Sequence, residues 1–306
     1  MPYISCNIKH LVEGSLSTKD TGLGNTLFQI ATQYAFSRKY GFTMDLRELR
    51  VYTDKLRELG FDHDNTIFRE TFRCFELQHH PQVDYRLISE EHDKGEIYDA
   101  DFHNQVVACQ DKHIKINGYL QSFMYFNDYR LELYSLFKPP REFEEYVQVQ
   151  YPEIFNDEIV SVSIHVRMNY ANNVNYTRSF FVESVQHFKE KYGPEKVHFF
   201  VFSNNHAEIC GWFDDQHVSF TIVNEHNDYM DLWTMMLCDH HIISHSTFAW
   251  WGAYLNGYPK KEVHYPRDSL RVWWGQLLEH EHRVEREVEH YLPDWNCVRS
   301  NTMYTY

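Results

Sequence analysis

No stretch of the chain approaches the apolar length needed to cross a bilayer, and residues 1–14 contain no continuous hydrophobic segment of the kind that heads a secretory signal. A soluble, cytoplasmic protein without a membrane span is expected. A basic surplus is also missing: 29 Lys and Arg stand against 44 Asp and Glu, a formal net charge of −15. Nucleic acids and anionic membranes both demand a positive face, so neither is expected as a partner. An anionic small ligand would need positive groups gathered at one spot. The six cysteines (Cys6, Cys74, Cys109, Cys210, Cys238 and Cys297) include no CxxC pair, which fits reduced thiols in a cytosolic protein. Internal repeats and low-complexity tracts are absent. Without a secretory signal the Asn175-Tyr176-Thr177 sequon reads as incidental.

What is present is globular. Hydrophobic residues make up 43% and charged residues 24% of 306, enough for two domains of moderate size. Aromatic residues reach 17%, and most are expected in the core, where rings bury large areas. A strand is expected over residues 4–8, then a polar loop ending in Gly22-Leu23-Gly24-Asn25. Leu27, Phe28, Ala31, Tyr34 and Ala35 recur at helical spacing and predict a helix over 26–40, stopped by Gly41. Residues 42–46 read as the next strand, and 47–112 as mixed helix and loop. Pro139-Pro140 marks the best break. Beyond it residues 159–167 alternate strictly, with Val160, Val162, Ile164 and Val166 on one face and Ser161, Ser163, His165 and Arg167 on the other. Strands are also expected over 197–202, 218–223 and 242–244, and helices over 180–192, 206–213, 228–238 and 247–256. Such alternation predicts parallel sheets built from βαβ units. The expected domains are 1–140 and 141–276, both α/β, followed by a charged helix and tail over 277–306.

Ligands of open α/β sheets bind beyond the carboxyl ends of the strands, and three segments fall there. Gly22-x-Gly24-Asn25 leads into a helix start, where glycines allow close backbone approach and free N–H groups meet anions. Taken alone it reads equally as a tight loop. His165-x-Arg167 closes the alternating strand, and Arg167 offers a planar fork for phosphate oxygens. Ser244-His245-Ser246-Thr247-Phe248 joins a strand to a helix; Ser246 or Thr247 suits an N-cap, and the same helix start suits a diphosphate. Asp99-x-Asp101 has the form of a metal-binding carboxylate pair but reads better as a solvated loop. No grouping of the 20 histidines has the spacing of a zinc site, so no metal is expected.

Together these residues resemble the bacterial-type α-1,2-fucosyltransferase family. Gly22-Leu23-Gly24-Asn25-Thr26-Leu27-Phe28-Gln29 is similar to the family's GLGNQxFQ, and Gly118-Tyr119-Leu120-Gln121-Ser122 with Tyr125-Phe126 to its GYxQSxxYF. Val162-Ser163-Ile164-His165-Val166-Arg167 resembles the SIHxR that opens HxRRGDY. Ile242-Ile243-Ser244-His245-Ser246-Thr247-Phe248-Ala249-Trp250-Trp251-Gly252-Ala253 resembles IIxxSTFSWWGA. The resemblance implies a GT-B architecture, two Rossmann-like domains facing across a cleft. It also implies inverting, metal-independent transfer of L-fucose from GDP-fucose to an oligosaccharide acceptor, in α-1,2 linkage.

Carried over, His165 and Asp231 would hold the guanine, with Asp228 one turn earlier as the alternative to Asp231. Arg167 would hold phosphate and serve catalysis. Ser246, Thr247 and Phe248 would border the diphosphate and sugar, and Gly24 and Asn25 would face them from the other domain. Two segments depart from the family: RRGDY reads Arg167-Met168-Asn169-Tyr170, and SDD reads Ser203-Asn204-Asn205. Both predict a donor pocket with less charge. Transfer of another GDP-deoxyhexose such as rhamnose, a silent binding module, and a metal-dependent transferase using Asp99-x-Asp101 stay open as alternatives. Asp20 and Glu13 lie near the N-terminal loop but read better as ordinary surface acids than as the general base.

Overall fold

In the first unit the chain builds a small parallel sheet around one long helix. The computed structural model describes residues 1–7, 22–48, 82–91, 96–168, 178–209, 211–224, 228–267, 272–273, 276–277 and 287–298. These divide into two α/β units, the first of residues 1–138 with 227–229 and 288–292, the second of 139–226, 230–287 and 293–306.

Strands β1 (Tyr3–Cys6), β2 (Thr43–Asp45), β3 (Arg86–Ser89) and β4 (Ile114–Asn117) pair in the order β2-β1-β4-β3, all parallel. Helix α1 (Leu23–Tyr40) packs on them, and Gln33 explains part of its fit. Its buried amide donates to the carbonyls of Ile4 (2.8 Å) and Asp45 (3.0 Å), tying the helix to two neighbouring strands. At the far end Gly41 takes a left-handed conformation (φ 75°) and its N–H returns to Ser37 O at 3.0 Å, which ends the helix where a residue with a Cβ would be strained. The helix begins earlier than residue 26. Gly22 is its N-cap, and the Gly22 carbonyl accepts from Asn25 and Thr26, so Gly24 and Asn25 stand in the first turn, not in the preceding loop.

A buried polar knot holds the rest of this unit. Glu90 accepts from the Leu120 N–H (2.9 Å) and the Tyr125 hydroxyl (3.0 Å). Gln29 donates to Gly118 O at 2.9 Å, and Gln121 donates to the Asn25 side chain at 2.9 Å. The two N-terminal motifs thus form one hydrogen-bonded body. Gly118 is required by proximity: a Cβ there would lie 2.6 Å from Glu90 Oε2 and 2.7 Å from Glu90 Cβ. Gly118→Ala is expected to destabilise the protein by about 1–3 kcal/mol, the usual cost of overpacking. Urea unfolding reads this directly, and an unchanged midpoint would show that Glu90 moves aside freely.

Asp99 is not part of a solvated loop. It is buried as the N-cap of α2 (Ala100–Val107), where Oδ1 accepts from the N–H groups of Asp101 and Phe102 (both 3.0 Å) and Oδ2 from Glu91 N at 3.1 Å. Both of its oxygens are engaged by backbone. Helix α3 (Arg130–Phe137) follows. Pro139-Pro140 then precedes α4 (Arg141–Gln150), whose N-cap is Pro140, a position where a missing N–H costs nothing.

The second unit carries the larger sheet, order β12-β9-β8-β5-β6-β7, entirely parallel. Its strands are β5 (Val160–Val166), β6 (Val197–Ser203), β7 (Ser219–Ile222), β8 (His240–Ile243), β9 (Val263–Pro266) and β12 (Asn296–Val298). A two-residue antiparallel ladder, β10 (Val272–Trp273) with β11 (Gln276–Leu277), lies between the last two in sequence. Among the described residues its helices are α5 (Arg178–Tyr192), α6 (His206–Ile209), α7 (Asp228–Leu237, of which residues 230–237 belong to this unit) and α8 (Thr247–Leu255).

Alternation in β5 predicted one apolar and one polar face, yet Ser161, Ser163 and His165 are as buried as Val162 and Ile164. Each buried polar group therefore needs a partner, and each finds one beside β8. Ser161 N and Oγ bond Asp239 Oδ2 (2.8 and 2.9 Å), Ser163 Oγ meets His241 Nδ1 (2.7 Å), and His165 Nδ1 meets Ser244 Oγ (2.9 Å). Asn256 Nδ2 donates to His241 Nε2 at 2.7 Å, which leaves Nδ1–H of that ring to donate to Ser163. The helix expected over 206–213 shortens to α6. Of the tail helix expected from residue 277, Leu277 is strand and 287–290 are helical; 278–286 lie outside the described residues. The same holds for Cys74, Cys210, Asn169, Tyr170, the sequon at 175–177, Glu13 and Asp20. Cys6, Cys109 and Cys238 are buried free thiols.

Candidate functional site

The order of strands in the second unit defines a reversal. From β5 the chain steps outward to β6 and β7, then returns through α7 to β8 on the other side of β5. The carboxyl ends of β5 and β8 therefore flank a topological switch point, where connections leave in opposite directions and open a crevice. The register sets what stands there: His165 pairs with Ile243, so Ser244 follows level with Val166, and Arg167 comes one residue beyond.

Ser244 joins the two strand ends. Its hydroxyl bonds His165 Nδ1 at 2.9 Å and accepts from the Arg167 N–H at 3.3 Å. The His165 ring also lies against Phe248, with ring centroids 5.7 Å apart. Burial, with Arg167 nearby as a second cause, pushes the His165 pKa down to about 3, so the ring is neutral at physiological pH. It can recognise a ligand by hydrogen bonding and stacking, not by charge. Arg167 is half-buried.

Helix α8 starts at the same crevice. Ser246 is its N-cap by backbone conformation (φ −151°, ψ 124°), and its carbonyl accepts from Trp250 N at 2.9 Å. Its hydroxyl makes no capping hydrogen bond. Ser246, Thr247 and Phe248 are half-buried, while the rest of the helix sinks into the core through Trp250, Trp251 and Tyr254. Asp231 stands on α7, which leads into β8, with Oδ1 sealed from solvent. Gly24 and Asn25 belong to the first unit, in the first turn of α1.

Two residues of this region escaped the sequence reading. For Ser244 the signal lies in β5, whose polar residues at every second position, once buried, require partners. Asn204 is the other. Its Oδ1 accepts from Met168 N at 2.8 Å and its Nδ2 donates to Met168 O at 3.0 Å, a two-point bracket across the ends of β5 and β6. Only an amide can make both bonds, since a carboxylate has no proton for the carbonyl. Met168 itself corrects an expectation. It is 4% exposed and packs in the core with Phe180, Phe181 and Val201, so its thioether does not replace a charge in the crevice.

The glycosyl transferase family 11 model matches residues 21–298. The chain belongs to that family. It is accordingly a glycosyltransferase. Among relatives, an α-1,2-colitosyltransferase of Escherichia coli is 26% identical over 267 residues, covering 78% of this chain and 86% of the relative. The O-antigen biosynthesis glycosyltransferase WbnK of Escherichia coli is 24% identical over 127 residues, 38% of this chain and 41% of its own.

Solved structures with similarity to this family 11 chain include an Arabidopsis thaliana FUT1 mutant in complex with GDP (TM-score 0.48, 13% identity, 86% of this chain and 70% of that one). Another is NodZ α-1,6-fucosyltransferase soaked with GDP-fucose (TM-score 0.42, 14% identity, 83% and 91%). No helix among the described residues is long and apolar enough to cross a membrane.

Proposed function

We propose that this glycosyltransferase moves L-fucose from GDP-fucose to a hydroxyl of an oligosaccharide acceptor, with inversion, in α-1,2 linkage and without a metal. The observation that carries the reading is the joint between β5 and β8, where Ser244 holds His165 and the Arg167 backbone beside the start of α8. In this reading His165 and Asp231 take the guanine, and Arg167 grips the phosphate. Ser246, Thr247 and Phe248 border the diphosphate and sugar.

Cleavage of the sugar–phosphate bond puts negative charge on the departing GDP while the sugar takes on oxocarbenium character. A guanidinium about 4 Å from that charge contributes roughly 4 kcal/mol at an effective dielectric near 20. The N–H groups at the α8 start add to it. Asp99, the first acid of Asp99-x-Asp101, spends both oxygens on backbone N–H groups, which supports a metal-free mechanism over that pair. The cytoplasm is the proposed setting, supported by the free thiols.

The colitosyltransferase relative favours a second reading, in which the sugar moved is colitose. Calorimetry in EDTA is expected to show one GDP site of unchanged affinity when manganese is added. Competition among GDP-fucose, GDP-colitose and GDP-rhamnose is expected to favour fucose. Exclusive transfer of another sugar overturns that choice; GDP affinity that appears only with manganese overturns the metal-free mechanism. No transfer to any acceptor of a panel, with GDP still bound, points to a silent module.

A further inference from the structure

Away from the crevice, α5 and the start of β9 bring together two histidines and a carboxylate that no step of the transfer uses. Glu262 and His264 are two residues apart at the beginning of β9, so their side chains leave the strand on one face. His187, on the last turns of α5, meets them there. Its Nε2 lies 2.9 Å from Glu262 Oε2, and its ring centroid is 4.8 Å from that of His264. One ligand atom from each of the three residues lies within 4.8 Å of the others.

We propose that His187, Glu262 and His264 form a site for a divalent transition metal of the zinc type. His264 is the second observation that points to a ligand. It is 4% exposed, its Nδ1 has no hydrogen-bond partner, and its ring faces His187. A buried imidazole nitrogen left without a bond is a standing cost, which a metal held at Nδ1 of this ring would remove.

The surroundings suit the purpose. Lys191 pairs with Oε1 of Glu262, which leaves Oε2 directed at His187 and favours single-oxygen ligation. The strand start is fixed from behind, because Glu262 N donates to His240 Nδ1 at 2.9 Å and His240 Nε2 meets the Tyr192 hydroxyl at 3.0 Å. Phe188 packs against His264 and His240, with centroids 5.0 and 5.2 Å away, and forms an apolar wall. The half-exposed His187 side chain leaves an entry path.

Two imidazoles, one carboxylate and a water complete a tetrahedral zinc shell with bonds of about 2.0–2.2 Å. This donor set prefers zinc, cobalt or nickel over magnesium or calcium. A bound ion would fasten α5 to β9 and act on stability. It takes no part in the transfer chemistry, so this proposal stands or falls apart from the donor reading.

The test uses the full chain, stripped with EDTA, dialysed, and titrated with Co²⁺ and Zn²⁺. One equivalent of Co²⁺ should produce the strong visible bands of a four-coordinate site, and Zn²⁺ should displace it and raise the unfolding temperature. His187→Ala and Glu262→Gln, both reachable from solvent, should weaken Zn²⁺ binding at least about tenfold and abolish the thermal shift. GDP affinity, measured in parallel, should be unchanged in both. Equal Zn²⁺ affinity in the parent and both variants would place the ion on other histidines and overturn the proposal. Absence of Co²⁺ bands and of a thermal shift in the parent would overturn it as well.

Discussion

Replacing Arg167 by alanine is expected to lower turnover by roughly 10²–10³, the scale seen when one donor to a transition-state charge is removed. Arg167→Lys is expected to stay close to the alanine variant. Lysine keeps the positive charge, but its ammonium lacks the planar fork that meets two phosphate oxygens at once. The fold should survive both changes, because the bond from residue 167 to Ser244 is made by the backbone N–H. Steady-state kinetics with GDP-fucose, alongside thermal unfolding of each variant, separate the chemical loss from a folding defect. A folded variant with near-normal turnover would remove Arg167 from the donor site.

The second large effect is loss of stability in mild acid. His165 and His241 are buried and neutral in the folded protein. The pKa of His165 is pushed down to about 3, by burial first and Arg167 second. That of His241 is held well below the ordinary value by burial first, then by Lys261 and His240. In the unfolded chain both rings take up a proton near pH 6.5. Below that pH the unfolded state binds more protons than the folded state, so stability falls as pH falls, and it continues to fall until the folded rings titrate.

Each such ring contributes about 1.4 kcal/mol per pH unit once its unfolded form is protonated. Two of them remove roughly 5 kcal/mol between about pH 6 and 4, comparable with the whole stability of many domains. Above about pH 7 neither ring contributes a slope. Urea midpoints at pH 7, 6, 5 and 4 check this, and a flat profile would show that one or both rings accept a proton without unfolding. Since His165 stays neutral through this range, its own titration should leave no inflection in GDP binding between pH 5 and 8.

The departures from the family pattern show how a sequence comparison and a structure can read the same residue differently. Met168 stands where an arginine is expected, and from the sequence this looks like lost charge in a pocket. In the folded protein the side chain points into the core beneath β5 and β6, and its backbone is held by the Asn204 amide. The Ser203-Asn204-Asn205 segment likewise carries an amide that a backbone N–H and a backbone carbonyl both use.

The elements legible in the sequence were those with a periodic signal of their own. Helix α1 announced itself through Leu27, Phe28, Ala31 and Ala35, and β5 and β6 through β-branched and aromatic runs. Strand β9, Val-His-Tyr-Pro, gave no such signal, because a fully buried strand need not alternate and its histidine and proline disguise it. Strand β12 is three residues long and exists through its pairing with β9. Local sequence was enough to put His165 and Arg167 at the end of one strand and Ser244 to Phe248 at the end of another. It could not show that those two strands are neighbours, because hydrogen-bond pairing across 78 residues is not a local property. The register of His165 against Ile243 decided that, and with it the place of Ser244 and the neutral state of His165, while the pairing of β9 with β8 and the packing of α5 brought His187 to Glu262 and His264. Partners for buried polar groups are chosen by packing, after the periodicity of each element has been spent on forming it.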